Sequence, residues 1–263
     1  MPEITNLFSL TKMKILIIGG SGKIGKTFNL KNSKKTFYKN RVNNGIKFNL
    51  MKDNINIQLK KYKINRVLIL SAISDPDICL KNKKYSNLLN VKKTIKLIDI
   101  LINKNIYFIF FSSEYIFDGK TGNYSEKSKT VPNNLYGKQK LIVENYIKKK
   151  TKNFSIMRIG KTYGDSIKDN TLISKFLIEL VSGKRIFQAA YDQIFNPLYV
   201  KDLEKIVKIF LKKKIKGIFN VGGPQKLSRL KILKLITKIF RHKIQSEIKF
   251  KKVSLNDFQT IDR

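Results

Sequence analysis

Because 42% of its 263 residues are hydrophobic, the chain can bury a core as a globular protein. Its single cysteine, Cys79, excludes an intramolecular disulfide, and its single histidine, His242, leaves a Ser-His-Asp triad or a histidine metal centre with little basis. The formal net charge is +37, but only seven of the 55 lysine and arginine residues are arginine, which is typical of a dispersed, solvated surface. No apolar stretch is long enough to span a bilayer. We therefore expect a cytoplasmic protein with no specific nucleic-acid partner and no membrane partner.

Short apolar runs alternate with longer segments of helical spacing along the chain. The predicted strands are Lys14–Ile18, Lys35–Tyr38, Arg66–Leu70, Tyr107–Phe111, Phe154–Arg158 and Gly217–Val221. The predicted helices include Asn87–Leu101, Tyr136–Lys149, Thr171–Val181 and Leu203–Leu211. This alternation predicts an α/β protein with a Rossmann-type doubly wound parallel sheet, in which helices cover both faces. Ligands of such sheets bind beyond the carboxyl ends of the strands.

The pattern becomes less regular from about residue 161. We expect a Rossmann dinucleotide-binding domain over residues 13–160 and a small C-terminal substrate-binding part over residues 161–263. One or more segments of this second part are expected to return to the Rossmann core.

A glycine-rich turn, Gly19-Gly20-Ser21-Gly22-Lys23-Ile24-Gly25, follows the first predicted strand. A pyrophosphate needs backbone N–H groups directed at it and no Cβ in the way, and glycines at positions 19, 22 and 25 meet those needs. The motif taken alone also fits an ordinary tight turn. Its position between a strand and a helix favours a dinucleotide site.

A second group of polar residues, Ser113, Tyr136 and Lys140, includes two members on one predicted helix. Tyr136 and Lys140 are four residues apart, so they share a helix face and the ammonium can lie near the phenol. Such a charge is expected to lower the tyrosine pKa toward the working pH, as a proton-donating site requires. In a chain so rich in lysine, the same spacing also arises by chance.

The second predicted strand runs into Lys39-Asn40-Arg41, and no acidic residue occurs between Glu3 and Asp53. NAD sites usually place an Asp or Glu at this strand end to bind the ribose hydroxyls. The sequence therefore favours NADP(H), with Arg41 and then Lys39 as partners of the 2′-phosphate, and leaves NAD(H) as the second option. Both cations also fit an ordinary charged surface.

An ordered series of motifs extends from Met13 to about the C-terminus. Besides the glycine turn it contains Ser112-Ser113-Glu114-Tyr115-Ile116-Phe117-Asp118-Gly119, Tyr124-Ser125-Glu126, Pro132, Tyr136-Gly137-Lys138-Gln139-Lys140, Met157-Arg158, Tyr163-Gly164, Asp192-Gln193, Asn196-Pro197 and Asn220-Val221-Gly222-Gly223. In this series the chain resembles the extended short-chain dehydrogenase/reductase superfamily, and within it the dTDP-4-dehydrorhamnose reductase group.

The resemblance implies an NADPH-dependent reductase of a nucleotide-linked 4-keto-6-deoxy sugar. Tyr136 would donate a proton to the carbonyl oxygen, Ser113 would hydrogen-bond the same oxygen, and Lys140 would hold the nicotinamide ribose. Glu114, Tyr163 and Asn196, with Ser113, would contact the substrate. Cofactor contacts would come from Gly19, Gly22, Lys23, Ile24, Gly25, Lys39, Arg41, Asn49, Ser71, Ala72, Asn90, Tyr136 and Lys140. No metal ion is expected.

The sequence is also compatible with two other functions. One is a nucleotide-sugar epimerase or dehydratase that retains NAD, although Ser113 is followed by Glu114-Tyr115, only half of the acid pair that dehydratases usually carry. The other is a non-catalytic, NADP-binding regulatory subunit of another enzyme. A homodimer is also left open.

Overall fold

A seven-stranded sheet with the order β11-β6-β5-β4-β1-β2-β3 organises the fold. The strands of the protein are β1 Ile15–Ile18, β2 Ser33–Phe37, β3 Ile46–Lys47, β4 Arg66–Ile69, β5 Tyr107–Ser113, β6 Phe154–Ile159, β7 Thr162–Tyr163, β8 Ile186–Ala190, β9 Ile194–Phe195, β10 Leu198–Tyr199, β11 Gly217–Val221, β12 Leu227–Ser228 and β13 Lys249–Val253. The pairings from β3 through β6 are parallel. The Rossmann-type sheet is therefore confirmed, together with all six predicted strands.

Helices lie between the strands along the chain. They are α1 Lys23–Thr27, α2 Ile55–Lys61, α3 Pro76–Lys81, α4 Lys83–Asn87, α5 Thr94–Asn103, α6 Leu135–Lys150, α7 Leu172–Val181, α8 Val200–Lys213 and α9 Arg229–Phe240, and a π-helical segment, Leu88–Lys93, joins α4 to α5. The four predicted helices are confirmed, and α1 follows the glycine turn as expected, whereas α2, α3 and α4 were not predicted. None of the helices within the described ranges has the length and apolarity needed to cross a membrane.

The computed structural model describes residues 13–38, 45–169, 171–243 and 247–257. These residues form two compact units. The first extends to Ile159 and also contains Lys201–Asn220, and the second contains Gly160–Val200 and the described residues from Val221 onward.

The core of the first unit lies between the sheet and its helices. All seven residues of β5 are buried, as a strand covered on both faces requires. Phe108 and Phe110 of β5 pack in one cluster with Leu97, Ile98 and Leu101 of α5. The spacing of these three residues places them on one face of α5, so the sequence pattern dictates which face is buried.

The second unit has a smaller core of its own. Its β8 and β13 pair in parallel, and Phe187 of β8 packs with Phe176 of α7 and Ile232 of α9. A capping box, in which Thr171 and Ser174 bond each other's backbone N–H groups, begins α7.

Matched substitutions test this description of the core. Ile98 is fully buried in α5, whereas Ile57 of α2 is 62% exposed. We expect Ile98→Ala to lower the free energy of unfolding by ~2–5 kcal/mol, because it leaves a cavity. Ile57→Ala should stay within ~0.5 kcal/mol of the wild type. If urea denaturation shows the same loss of unfolding free energy for both variants, the placement of α5 is contradicted.

Candidate functional site

The glycine turn between β1 and α1 is packed tightly against its neighbours. Gly19 has φ +97°, and a Cβ added there would lie 2.7 Å from the backbone N of Ser71. A Cβ added at Gly25 would overlap the carbonyl oxygen of Gly19. These are the close approaches for which dinucleotide-binding turns use glycine, so the turn fits the pyrophosphate of such a cofactor.

A cleft of about 210 Å³ opens beside this turn. It is lined by Ile18, Gly19, Ser21, Thr36, Tyr38, Phe48, Asn49, Leu50, Met51, Ser71, Ile73, Tyr85 and Leu89. Among these described lining residues none is acidic or basic. An apolar wall with a few hydroxyl and amide groups suits a planar heterocycle and its ribose better than it suits a highly charged ligand.

The cleft contains some of the predicted cofactor residues. Gly19, Asn49 and Ser71 line it, whereas Gly22, Lys23, Ile24, Gly25 and Ala72 are not among its lining residues. The side-chain oxygen of Asn49 accepts a hydrogen bond from the backbone N–H of Met51 at 2.9 Å, so part of its capacity is used locally. Lys39 and Arg41 lie outside the described residues.

Asn90 connects the cleft to helix α6. Its side-chain oxygen accepts from the backbone N–H of Ile73 at 2.9 Å, and its amide donates to the Ile73 carbonyl at 2.9 Å and to Oε1 of Gln139 at 2.8 Å. Both hydrogens of the amide nitrogen are used within the protein, so Asn90 fixes the position of Ile73 relative to Gln139.

Ser113 ends β5, and Glu114 begins a single 3₁₀ turn, Glu114–Ile116. The Oγ of Ser113 accepts from the backbone N–H of Tyr115 at 3.3 Å, and the residue is buried. Both predicted residues therefore lie at the carboxyl end of a central strand, where the sheet topology places ligands.

Helix α6 places Tyr136 and Lys140 against this turn. Asn134 begins the helix, and its side-chain oxygen accepts from the backbone N–H of Gly137 at 2.8 Å. A Cβ added at Gly137 would overlap the carbonyl oxygen of Tyr115. Only glycine at this position allows the first turn of α6 to approach the 3₁₀ turn so closely.

Lys140 is a buried ammonium, with 3% of its surface exposed. Its Nζ donates to the carbonyl oxygen of Phe111 at 2.7 Å and lies 5.6 Å from the ring centroid of Tyr136. Burial lowers the pKa of Lys140 to about 8, against the opposing effects of Glu144 and Cys79, which raise it. The side chain is thus still mostly charged at neutral pH.

The expected lowering of the Tyr136 pKa is not found in this structure. Burial raises the pKa of Tyr136, and the neighbouring Cys79 and Tyr115 raise it further. The pair was correctly expected to lie close together, but spacing alone does not reveal that both groups are desolvated. Tyr136 therefore remains a protonated phenol, which is the form that a proton donor needs.

The two remaining predicted substrate residues lie in the second unit. The ring centroids of Tyr163 and Tyr199 are 5.4 Å apart. The side-chain amide of Asn196 donates to the carbonyl oxygen of Gly223 at 3.3 Å. In the described ranges of the chain, no three or more His, Cys, Asp or Glu side chains are grouped so as to hold a metal ion.

Sequence reasoning missed several residues that belong to this site. Gln139 receives a hydrogen bond from Asn90 and donates to the Oγ of Ser86 at 3.0 Å, but no spacing rule singles it out. Phe48 and Met51 line the cleft and follow β3, a two-residue strand too short to produce a periodic signal.

The parallel sheet, the glycine turn and the polar residues at the carboxyl end of β5 define an α/β protein with a Rossmann-like fold. Residues 13–257 match the family described as RmlD substrate binding domain. The chain belongs to this family.

The curated relatives of this chain carry names that describe different functions. Methionine adenosyltransferase 2 subunit beta of Xenopus tropicalis is 28% identical over 178 residues, which are 65% of this chain and 53% of that protein. A probable low-salt glycan biosynthesis reductase of Haloferax volcanii is 30% identical over 168 residues, 63% of this chain and 56% of that protein. The chain thus spans about half the length of the curated relatives it matches.

Solved structures share the fold over a greater length. The crystal structure of dTDP-4-dehydrorhamnose reductase from Bacillus anthracis in complex with NADP superposes with a TM-score of 0.81. That match covers 96% of this chain and 88% of the other at 20% sequence identity, a likeness that shows the fold.

A substitution at Gly137 tests the close approach of α6 to the 3₁₀ turn. We expect Gly137→Ala to lower the free energy of unfolding by ~1–3 kcal/mol, because its methyl group would meet backbone that cannot rotate away. Lys138→Ala changes an exposed neighbour on the same helix and should have little effect. If urea denaturation finds Gly137→Ala as stable as the wild type, the contact with Tyr115 is misplaced.

Proposed function

We propose that the protein is a reductase that uses NADPH to convert the carbonyl of a nucleotide-linked 4-keto-6-deoxy sugar to a hydroxyl group. One observation supports this most strongly: Asn90 hydrogen-bonds both Ile73 in the wall of the cleft and Gln139 on helix α6. A cofactor held in the cleft would therefore lie in a fixed relation to Tyr136 and Lys140.

Bound NADPH would supply the hydride that reduces the carbonyl carbon. Tyr136 would donate its phenolic proton to the carbonyl oxygen as negative charge develops there. The buried Ser113 hydroxyl would hydrogen-bond the same oxygen and stabilise that charge. The proton and the hydride together make the new hydroxyl group, and Tyr136 would then recover a proton from solvent.

Lys140 would hold the nicotinamide ribose and stabilise the phenolate that Tyr136 becomes after proton transfer. Its ammonium lies close to the phenol ring and is mostly charged at neutral pH. Because water is excluded from this position, the attraction between ammonium and phenolate is stronger than at a surface. The raised pKa keeps Tyr136 protonated before the transfer but opposes loss of its proton, so the ammonium of Lys140 would have to offset part of that cost.

The preference for NADP(H) rests on charge. The described lining of the cleft contains no carboxylate that would repel a 2′-phosphate, and Lys39 and Arg41 follow β2 in the sequence. The glycine turn would hold the pyrophosphate, with Asn49 and Ser71 contacting the adenosine half. NAD(H) is the second option, because these features would not exclude it.

The substrate class rests on relatives. A structural neighbour is a dTDP-4-dehydrorhamnose reductase, and a curated relative is a probable glycan biosynthesis reductase. In this proposal the first unit binds the cofactor.

A regulatory subunit is the second candidate function. The similarity to methionine adenosyltransferase 2 subunit beta favours it. The buried Ser113, Tyr136 and Lys140 favour catalysis, because binding a cofactor does not by itself require a desolvated proton donor beside an ammonium, and such groups cluster at catalytic sites. A stable complex with a methionine adenosyltransferase, with NADPH bound but no reduction of keto-sugar nucleotides, would favour the regulatory role.

Removal of one hydroxyl tests the proton donor. We expect Tyr136→Phe to lower turnover by at least ~10²-fold, the scale of a positioned acid, with NADPH affinity almost unchanged. Tyr146→Phe, which removes a hydroxyl from the same helix at its contact with Asp99, is the matched control and should keep its activity. Retention of most activity by Tyr136→Phe would refute the assignment.

Removal of one guanidinium tests the cofactor preference. We expect Arg41→Ala to weaken NADPH binding by ~1.5–3 kcal/mol and NADH binding far less, because only NADPH has a 2′-phosphate for a charge-assisted contact. Lys47→Ala removes the same charge from an exposed position on β3 and serves as the control. Tighter binding of NADH than of NADPH by the wild type would contradict the preference.

A further inference from the structure

A buried ion pair lies next to the proposed proton-transfer site. Arg158 of β6 is 3% exposed and Glu144 of α6 is fully buried. The Nε of Arg158 lies 3.2 Å from both carboxylate oxygens of Glu144, and its Nη2 lies 2.9 Å from Oε2. This fork geometry satisfies the carboxylate, which would otherwise be costly to bury.

Glu144 is the residue four positions after Lys140, so the ion pair lies one helical turn from the buried ammonium. Of the groups around Lys140, Glu144 and Cys79 of α3 raise its pKa, and the Tyr136 ring lies beside it. A carboxylate one helical turn away would attract the ammonium away from the Phe111 carbonyl unless another cation engaged it. Arg158 supplies that cation.

Arg158 also holds a loop segment, Phe117–Glu126, that follows the 3₁₀ turn. Its Nη1 donates to the backbone carbonyl of Glu126 at 3.1 Å, and its guanidinium carbon lies 5.4 Å from the ring centroid of Phe117. The Glu126 carboxylate in turn accepts from the backbone N–H of Asn220 at 2.8 Å, which lowers its pKa. One guanidinium therefore contacts both the helix of Lys140 and the segment that continues from Ser113 and Glu114.

We propose that Arg158 is a positioning residue for the reduction: by engaging Glu144 it leaves Lys140 directed at the Phe111 carbonyl, and by binding the Glu126 carbonyl it fixes the loop segment Phe117–Glu126 beside the site. Only the expected effect of Arg158 on catalysis rests on the proposed function. The placement of Lys140 is measurable in the protein without substrate or cofactor.

The test is an NMR titration of the lysine side-chain nitrogens in the full-length protein, in which the Lys140 signal is identified by its loss in Lys140→Met. Arg158→Met should raise the titration midpoint of Lys140 by ~1 unit or more, because it leaves the Glu144 carboxylate uncompensated. Glu144→Gln should shift the midpoint in the opposite direction, because the guanidinium is then uncompensated. The double variant should return it toward the wild-type midpoint.

Arg158→Lys provides a conservative comparison, since it keeps the charge but loses the fork and the bond to Glu126. We expect a midpoint near that of the wild type, faster proteolytic cleavage between Phe117 and Glu126, and a lower kcat. If Arg158→Met does not fold, the titration midpoint of Lys140 in Glu144→Gln alone decides whether the ion pair acts on the ammonium. An unchanged midpoint in Glu144→Gln would overturn the proposal. Absence of NADPH oxidation by the wild type would instead overturn the proposed function and leave the titration result standing.

Discussion

The hydrogen bond from the Lys140 ammonium to the carbonyl of Phe111 is the interaction on which the site depends. It fixes one end of helix α6 to the carboxyl end of β5, where Ser113 lies. A buried ammonium is tolerated only with strong partners, so the surrounding structure must supply them. Burial lowers the pKa of the ammonium to about 8, so the group is mostly charged at neutral pH but loses its proton at a pH only slightly higher.

Other contacts around α6 serve to keep that helix in place. Gly137 lets the helix approach the 3₁₀ turn at Tyr115, and Gln139 ties it through Asn90 to the wall of the cleft. The Glu144 carboxylate on the next turn is engaged by Arg158. Three contacts along one helix therefore connect it to the 3₁₀ turn, to the wall of the cleft and to β6.

The sequence predicts the main strands well because each is a short apolar run that the sheet buries on both faces. β5 is the clearest case, since all of Tyr107–Ser113 is buried. The elements that were missed are short: β3 has two residues and α4 has five, too few to show a period. Helix α1 is indicated by its glycines instead, because its packing depends on close backbone approaches at Gly19 and Gly25 rather than on an apolar stripe.

The candidate site could be predicted only in part, for a related physical reason. Residues such as Tyr136 and Lys140 are marked by their spacing on one helix, but spacing does not report burial, and the pKa of Tyr136 is raised rather than lowered. The ion pair between Glu144 and Arg158 joins a helix to a strand. A contact between two different elements produces no periodic pattern in a single sequence, so it could not be predicted.

Hydride transfer to a keto-sugar nucleotide is the reaction that the proposed function requires. The most direct measurement is to incubate the protein with NADPH carrying two deuterium atoms at nicotinamide C4 and with a dTDP-linked 4-keto-6-deoxy sugar, and to examine the product by mass spectrometry. We predict a product with one deuterium at the former carbonyl carbon and an equal amount of oxidised cofactor. Binding of labelled NADPH with no deuterium in the sugar would contradict the account.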